Sequence, residues 1–392
     1  MVEDNFESEI LSEPNCIPDF APAQSSVSNT FVNLPKLHNV EYSTNTDTDN
    51  TSYQSLNDQQ RKLFRYISSW CYKKTQDENT PPFYIFLSGG AGTGKSLLTK
   101  CIKTEVEKIF QTTSPSPDCL SVLVLAFTGT AAFNIHGQTI HSALSIRNFR
   151  MPYIPLTQDT LNTLTIKYER LISSIIDEIS MVNVEMLSYI SCRLQQIKGR
   201  SSQPFGNVFI LAVGDFYRLP PIIGKPLFDI DPGALVNLWS LFKKWELQQI
   251  MRQKNDHQFA QLLNRIRTLQ KGHNIQESDQ KMLLDRLTHK VLNYPQDAMH
   301  IYSRNSDVDT HNTYMLNRYC HNIKVIHALD VYYDKQGQQR KLKQPLQFAK
   351  HCNLPVKIEI AVGARIMLTK NLDVSDGLVA FYVRRNGHEE TK

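Results

Sequence analysis

Apolar and polar positions recur with two different periods along this chain, and the change between them is sharpest at residues 83–109. Phe83 to Leu87 is a short apolar run with the aromatic and β-branched content of a buried strand. After Lys95 the spacing turns helical, with Leu98, Ile102, Val106 and Ile109 on one stripe. Further strand-like runs follow at Ser121 to Phe127, Leu171 to Ile176 and Asn207 to Val213. Upstream, Leu63, Tyr66, Ile67 and Trp70 form one face of a helix that Asn57 or Asp58 can cap. Met151 to Thr165 is proline-marked and predicts an irregular insertion. Beyond Leu247 the spacing of Phe259, Leu262, Leu263 and Ile266 predicts a helix, with Arg252, Arg265 and Arg267 around it. Ala298 to Ser303 then reads as the first strand of another unit, Val331 to Gln344 as a polar hairpin, and Ile358 to Leu368 as a β segment. Strands alternating with helical segments predict an α/β fold with a doubly wound parallel sheet.

Residues 1–55 show neither period. They are rich in Ser, Thr, Asn, Asp and Pro and carry nine acids against the single base Lys36, which predicts a disordered acidic tail. The chain as a whole has a formal charge of +5, so the remainder stands at roughly +13, the excess expected of a body that grips a polyanion. No apolar stretch is long enough to span a bilayer, and the start lacks the basic and apolar parts of a signal peptide, so a soluble intracellular protein is expected. The seven cysteines form no C-x-x-C pair, which points to reduced thiols rather than a disulfide framework or a zinc site.

Candidate chemistry begins where the first strand meets its helix. Gly89, Gly90, Ala91, Gly92, Thr93, Gly94, Lys95 and Ser96 form a G-x-x-x-x-G-K-S loop in the strand–loop–helix context that a triphosphate site needs. Glycines there let successive N–H groups wrap a phosphate at a helix start. Lys95 supplies a point charge to the β- and γ-phosphates, and the Ser96 hydroxyl a ligand for Mg²⁺. Asp177 and Glu178 follow the Leu171 to Ile176 strand; Asp177 is expected to hold Mg²⁺ and Glu178 to orient the attacking water. Asp215 and Arg218 lie at the next strand end and are expected to face the γ-phosphate, with a turn residue capping Leu219-Pro220-Pro221 as the other reading of Asp215. Arg252 is either an arginine finger or a surface salt bridge. Thr128 to His141 is a second loop at a strand's carboxyl end, where open parallel sheets bind ligands.

Read together, LNDQQ (Leu56 to Gln60), GGAGTGKS, TGTAAFNIHGQTIHS, IIDEISMV, GDFYRLPPI, IMRQ (Ile250 to Gln253) and VGARIMLTKNLDVSDGLV (Val362 to Val379) resemble the Pif-one-like DNA helicases of superfamily one, which include those encoded by Helitron transposons. The resemblance implies ATP-driven motors that move 5′ to 3′ on single-stranded DNA and unwind forked duplex, with roles in repair, recombination and telomere or genome maintenance in the nucleus. It implies a RecA-like ATP-binding domain over residues 56–246. A linker helix and a second RecA-like domain with a small β-rich insertion would occupy 247–392. ATP and Mg²⁺ are the implied cofactors. By position, Gln60 would read the adenine, Lys95 and Ser96 the phosphates and Mg²⁺, Asp177 the metal, Glu178 the water, and Arg252 would be the finger. Thr128, Gly129, Thr139 and His141 fall in the family's DNA-contacting loop, although Thr139 and His141 serve equally well as capping and packing residues. Asn305 matches a position on the second domain.

Two departures from the family pattern stand out. Arg218 replaces the usual glutamine of GDFxQLPP, a permanent cation where a neutral amide senses the γ-phosphate. Near the end, GLV runs into Ala380-Phe381-Tyr382 where the family continues through further motifs, so an incomplete second domain is expected. A degenerate relative that binds ATP and DNA without unwinding is the alternative reading, and a P-loop ATPase acting on protein partners a more distant one.

Overall fold

The computed structural model describes residues 53–385 except 112–119, 147–148, 150–151, 230–236, 253–255, 271, 287–297, 328–330, 334–338, 342–356, 369–370 and 372–382. The acidic tail predicted over residues 1–55 falls outside these up to residue 52.

Helix α1 (Asp58–Gln76) begins at Asn57, whose side chain accepts from the Gln60 N–H while the Gln60 side chain accepts from the Asn57 N–H. This reciprocal cap satisfies two donors that a helix start otherwise leaves open. Strand β1 (Tyr84–Gly89) runs into the glycine loop and α2 (Lys95–Gln111). Then come β2 (Val122–Ala126), α3 (Gly129–Asn134), β3 (Gln138–Thr139), α4 (Ile140–Ala143), α5 (Gln158–Lys167), β4 (Ser173–Asp177), α6 (Val184–Lys198), β5 (Phe209–Gly214) and β6 (Phe242–Leu247). The six strands form one sheet in the order β3-β2-β4-β5-β1-β6, with every pairing parallel.

The alternation along these strands feeds two cores. Ile85 and Leu87 of β1, Val122 and Val124 of β2, Ile175 of β4 and Leu211 of β5 point to the side covered by α1 and α2, where Leu63, Ile67, Leu98, Ile102 and Val106 are buried. Phe86, Leu123, Ile176 and Ile210 point the other way, onto Leu164 of α5 and Met186, Ile190 and Leu194 of α6. A parallel sheet must be covered on both faces, and the near-continuous apolar strands reflect that. Because all strands run one way, Gly89, Asp177 and Gly214 arrive at the same sheet edge. The carboxylates after β4 stand one strand away from β1, with β5 between.

Four expectations need correction. Residues 158–167, which overlap the stretch Met151 to Thr165 expected to be irregular, form α5: Thr157 starts it, and Leu164 anchors it in the core. The helix expected from Leu247 begins at His257, as α7 (His257–Arg267), because residues 242–247 extend as β6 beside β1. Ala298 to Ser303 is not a strand; Met299 and Ile301 are 67% and 90% exposed, with no strand beside them among the described residues. The single segment expected from Ile358 to Leu368 is two strands, Lys357–Ile360 and Arg365–Met367, separated by a turn.

Past α7 follow α8 (Glu277–Leu284) and α9 (Asn305–Tyr319), which begins at Asn305. The described strands there are short antiparallel pairs: β7 (Lys324–His327) with β10 (Lys357–Ile360), β8 (Val331–Tyr333) with β9 (Gln339–Lys341), and β11 (Arg365–Met367) with β12 (Val383–Arg385). The β8–β9 pair lies within the polar hairpin expected at Val331 to Gln344.

Candidate active site

The glycine loop spans the turn between β1 and α2. Gly92 and Gly94 sit at φ +77° and +82°, the left-handed region that side chains disfavour. A Cβ on Gly92 would stand 2.7 Å from Arg252 Cβ, and one on Gly94 would overlap the Gln60 amide. The Lys95 ammonium donates to Gly89 O at 2.6 Å and Gly90 O at 3.0 Å. Thr93 is buried and donates its hydroxyl to Gly90 O at 3.0 Å, whereas Ala91 and Ser96 face solvent.

Asp177 and Glu178 leave β4 at the same edge. Glu178 adopts φ 50°, ψ 47°, which costs a non-glycine residue about 1 kcal/mol or more, and its N–H donates to Asp177 Oδ1 at 2.9 Å. Burial pushes the Asp177 carboxyl above its usual range, against the pull of that N–H. Burial, and after it the Arg218 cation, push the Lys95 ammonium below its usual range, while Asp215, Glu178 and Asp177 pull it back. Lys95 therefore feels all four charged groups that the sequence assigned to this end of the sheet.

Arg218 does not stand free. Its Nη1 donates to Glu178 Oε1 at 2.8 Å, and its Nε is 4.0 Å from Asp215 Oδ2. Asp215 is 1% exposed and accepts from the Tyr217 N–H at 3.2 Å. Both its oxygens are also taken by Arg267, at 2.8 and 2.6 Å. Arg267 was not singled out in the sequence, where it is one of several arginines on an amphipathic helix.

Arg252 reaches the loop through its backbone: the N–H groups of Met251 and Arg252 both donate to Gly92 O, at 2.7 and 3.1 Å. Gln60 is wholly buried beneath the loop, with Nε2 donating to Thr93 O at 3.0 Å and Oε1 accepting from Asn57.

The second loop is built from helix starts. Thr128 Oγ1 accepts from the Ala131 N–H and Thr139 Oγ1 from the Ser142 N–H, each at 3.2 Å. Both threonines thus act as caps. Gly129 is buried, and a side chain there would overlap Asn371. His141 packs edge-on to Phe127 at 6.0 Å, and burial pushes its pKa below the usual histidine range. Among the described residues no helix is long and apolar enough to cross a membrane.

The PIF1-like helicase family model matches residues 55–281. The chain is 28% identical over 306 residues to the ATP-dependent DNA helicase PIF1 of Saccharomyces cerevisiae, covering 74% of this chain and 32% of that protein. It is 29% identical over 299 residues to the ATP-dependent DNA helicase PIF1 of Danio rerio, covering 75% and 42%. The chain thus spans less than half the length of these relatives. A crystal structure of Pif1 helicase from Candida albicans matches in fold with a TM-score of 0.58 at 24% identity, covering 84% of this chain and 68% of that one. A structure described as showing DNA unwinding at forked double-stranded DNA by two coordinating Pif1 helicases matches with a TM-score of 0.56 at 26% identity, covering 85% and 70%. The six-stranded sheet is the RecA-like arrangement that these neighbours share, and with the family model matching more than half of its residues, the chain belongs to the PIF1-like helicase family.

Proposed function

We propose that this chain is an ATP-dependent DNA helicase that moves 5′ to 3′ on single-stranded DNA and opens forked duplex. The observation that carries the reading is that parallel strands β1, β4 and β5 deliver the glycine loop, Asp177-Glu178 and Asp215 to one sheet edge, where Arg218 bonds Glu178. Residues 56–246 are the ATP-binding domain and 247–392 the linker helix and second domain, in the division we propose. Service in repair, recombination and telomere or genome maintenance, within the nucleus, goes with this reading through the family.

In this mechanism the backbone N–H groups of Gly89 to Gly94 cradle the phosphates, and Lys95 leaves its two loop carbonyls to meet the β- and γ-oxygens. Glu178 takes the proton of an attacking water in line with the γ-phosphorus, and Arg218 and Arg252 meet the charge that develops on the transferred group. Gln60 retains one N–H and one lone pair beyond its bonds to the loop and cap, which an adenine edge would meet once the loop over this buried side chain shifts. No cluster of three or more His, Cys, Asp or Glu among the described residues could hold a metal. The Ser96 hydroxyl and the Asp177 carboxylate are hard oxygen donors that suit Mg²⁺ sharing its remaining positions with phosphate oxygens and water. Bound there, Mg²⁺ would neutralise charge on the β- and γ-phosphates. The strand of DNA would lie across Thr128, Gly129, Thr139 and His141, contacted without base selection.

The ion pair between Arg218 and Glu178 favours a second reading, a degenerate relative that binds nucleotide and DNA without unwinding. ATP hydrolysis by the purified chain, with and without an unpaired oligonucleotide, separates the two. Strong stimulation supports the motor; nucleotide binding with background turnover supports the degenerate reading, and no nucleotide binding overturns both.

A further inference from the structure

Arg267 closes α7 with a guanidinium whose every side is engaged. Nε and Nη2 donate to the two oxygens of Asp215, Nη1 donates to Asn264 Oδ1 at 2.9 Å, and Cζ lies 4.6 Å from the centre of the Tyr217 ring. A fork-to-fork bond between guanidinium and carboxylate is among the strongest and most directional of polar contacts. Here the carboxylate is buried and the guanidinium 20% exposed, so the pair is little screened by solvent. Its consequence lies in what Asp215 begins. Three residues on, Arg218 turns back by a backbone hydrogen bond to Asp215 O and reaches Glu178. The Arg267 guanidinium also stands against the glycine loop, 3.7 Å from where a Cβ on Gly90 would lie.

A neighbouring pair provides a contrast. Arg265, on the same helix, makes an equally close double bond to Asp279, at 2.8 and 2.6 Å, but that bond ties α7 to α8. The two arginines make the same pair of hydrogen bonds to different partners, with Arg265 the more exposed at 41%.

We propose that Arg267 is a positioning residue for hydrolysis: by fixing both oxygens of Asp215 it sets the turn that holds residue 218 at the terminal phosphate. The inference rests on the site reading proposed above and adds to it a residue outside the phosphate loop and the Asp177-Glu178 pair.

The test compares Arg267→Gln, Arg265→Gln, Asp215→Asn and the Arg267→Gln/Asp215→Asn double variant in the full chain with Mg²⁺. Fluorescent ADP binding, the gain in affinity on adding aluminium fluoride, and steady-state ATP turnover with an unpaired oligonucleotide are measured for each. Arg267→Gln is expected to bind ADP within about twofold of the parent and to lose roughly ten- to a hundredfold in kcat and in the aluminium fluoride gain. Asp215→Asn should match it, and the double variant should be no worse than either single one, because the two act as a unit. Arg265→Gln should lose comparable thermal stability yet keep both readouts within about twofold; Arg267→Lys should recover part of the loss. Equal effects of Arg267→Gln and Arg265→Gln would reduce Arg267 to a structural tie and overturn the inference alone. Weakened ADP binding with the aluminium fluoride gain intact would make it a phosphate ligand and do the same. Failure of the parent chain to bind ADP would overturn the site reading, and this inference with it.

Discussion

Arg218 Nη1 lies 2.8 Å from Glu178 Oε1, so the carboxylate proposed to activate water is bonded to the side chain that departs from the family pattern. The pair is open to solvent, at 39% and 29% exposure, and such pairs contribute about 1 kcal/mol or less. A γ-phosphate carries more charge than one carboxylate and can draw Arg218 away, but hydrolysis then waits on that exchange. Arg218→Gln keeps an N–H donor for the γ-phosphate at that place while releasing Glu178, so it is expected to raise DNA-stimulated kcat by a few-fold, up to about fivefold, which is what 1 kcal/mol represents. Steady-state turnover measures it, and a rate that stays level or drops would refute the clamp.

Lys95→Ala should remove turnover by at least about a hundredfold, the scale of losing one charge aimed at a transferring phosphoryl. The fold should persist, because the ammonium bonds only to Gly89 O and Gly90 O of a loop that water can reach. Circular dichroism and phosphate release check the two halves. Undiminished turnover would exclude the phosphate-loop assignment.

Asp177 gives a pH signature. A carboxyl whose folded pKa lies above its unfolded value binds its proton more tightly in the native state, so native stability is greatest in acid and declines as pH rises through the folded value. Asp177→Asn is neutral throughout. It should melt above the parent at pH 7.5, with the gap closing towards pH 4, while turnover is lost. Melting curves of both proteins across that range decide the matter, and a parent that gains on the variant as pH rises would contradict the burial argument.

Gln60→Ala should destabilise the chain by about 2 kcal/mol in urea unfolding, since it leaves Thr93 O and the Asn57 N–H without their partners in a buried place. A loss below about 0.5 kcal/mol would mean that the loop does not lean on this side chain.

Affinity for an unpaired oligonucleotide should fall at least about tenfold between 50 and 200 mM salt if the basic body holds several phosphates. Fluorescence anisotropy across that range tests it. Salt-insensitive binding would point to base stacking instead.

What could be read from sequence was what is local. Strand, glycine loop and helix lie within residues 83–109, and Asp177-Glu178 announces itself by following an apolar run. The capping of α1 by Asn57 was also open to reading, because a cap is a contact over three residues. Strand β6 was not, since Phe-Lys-Lys-Trp-Glu-Leu is a charged edge strand with little alternation, and only its seat beside β1 makes it extended. Helix α5 was masked by the prolines before it. Arg267 could not be distinguished from Arg265 because its partner Asp215 lies 52 positions away, and residue type does not reveal which carboxylate a guanidinium will meet. Thr139 was left between two roles, and the cap it forms accounts for one contact of its hydroxyl.

The carbonyl of Gly92 accepts two amides from the chain just past β6. That oxygen belongs to the turn proposed to wrap the phosphates, and the amides belong to the segment leading into α7. That peptide unit, together with the Arg267–Asp215 bond, links the phosphate loop to the segment that leads into α7. A spin label at an exposed site on α9 should therefore change its spectrum when ATP binds.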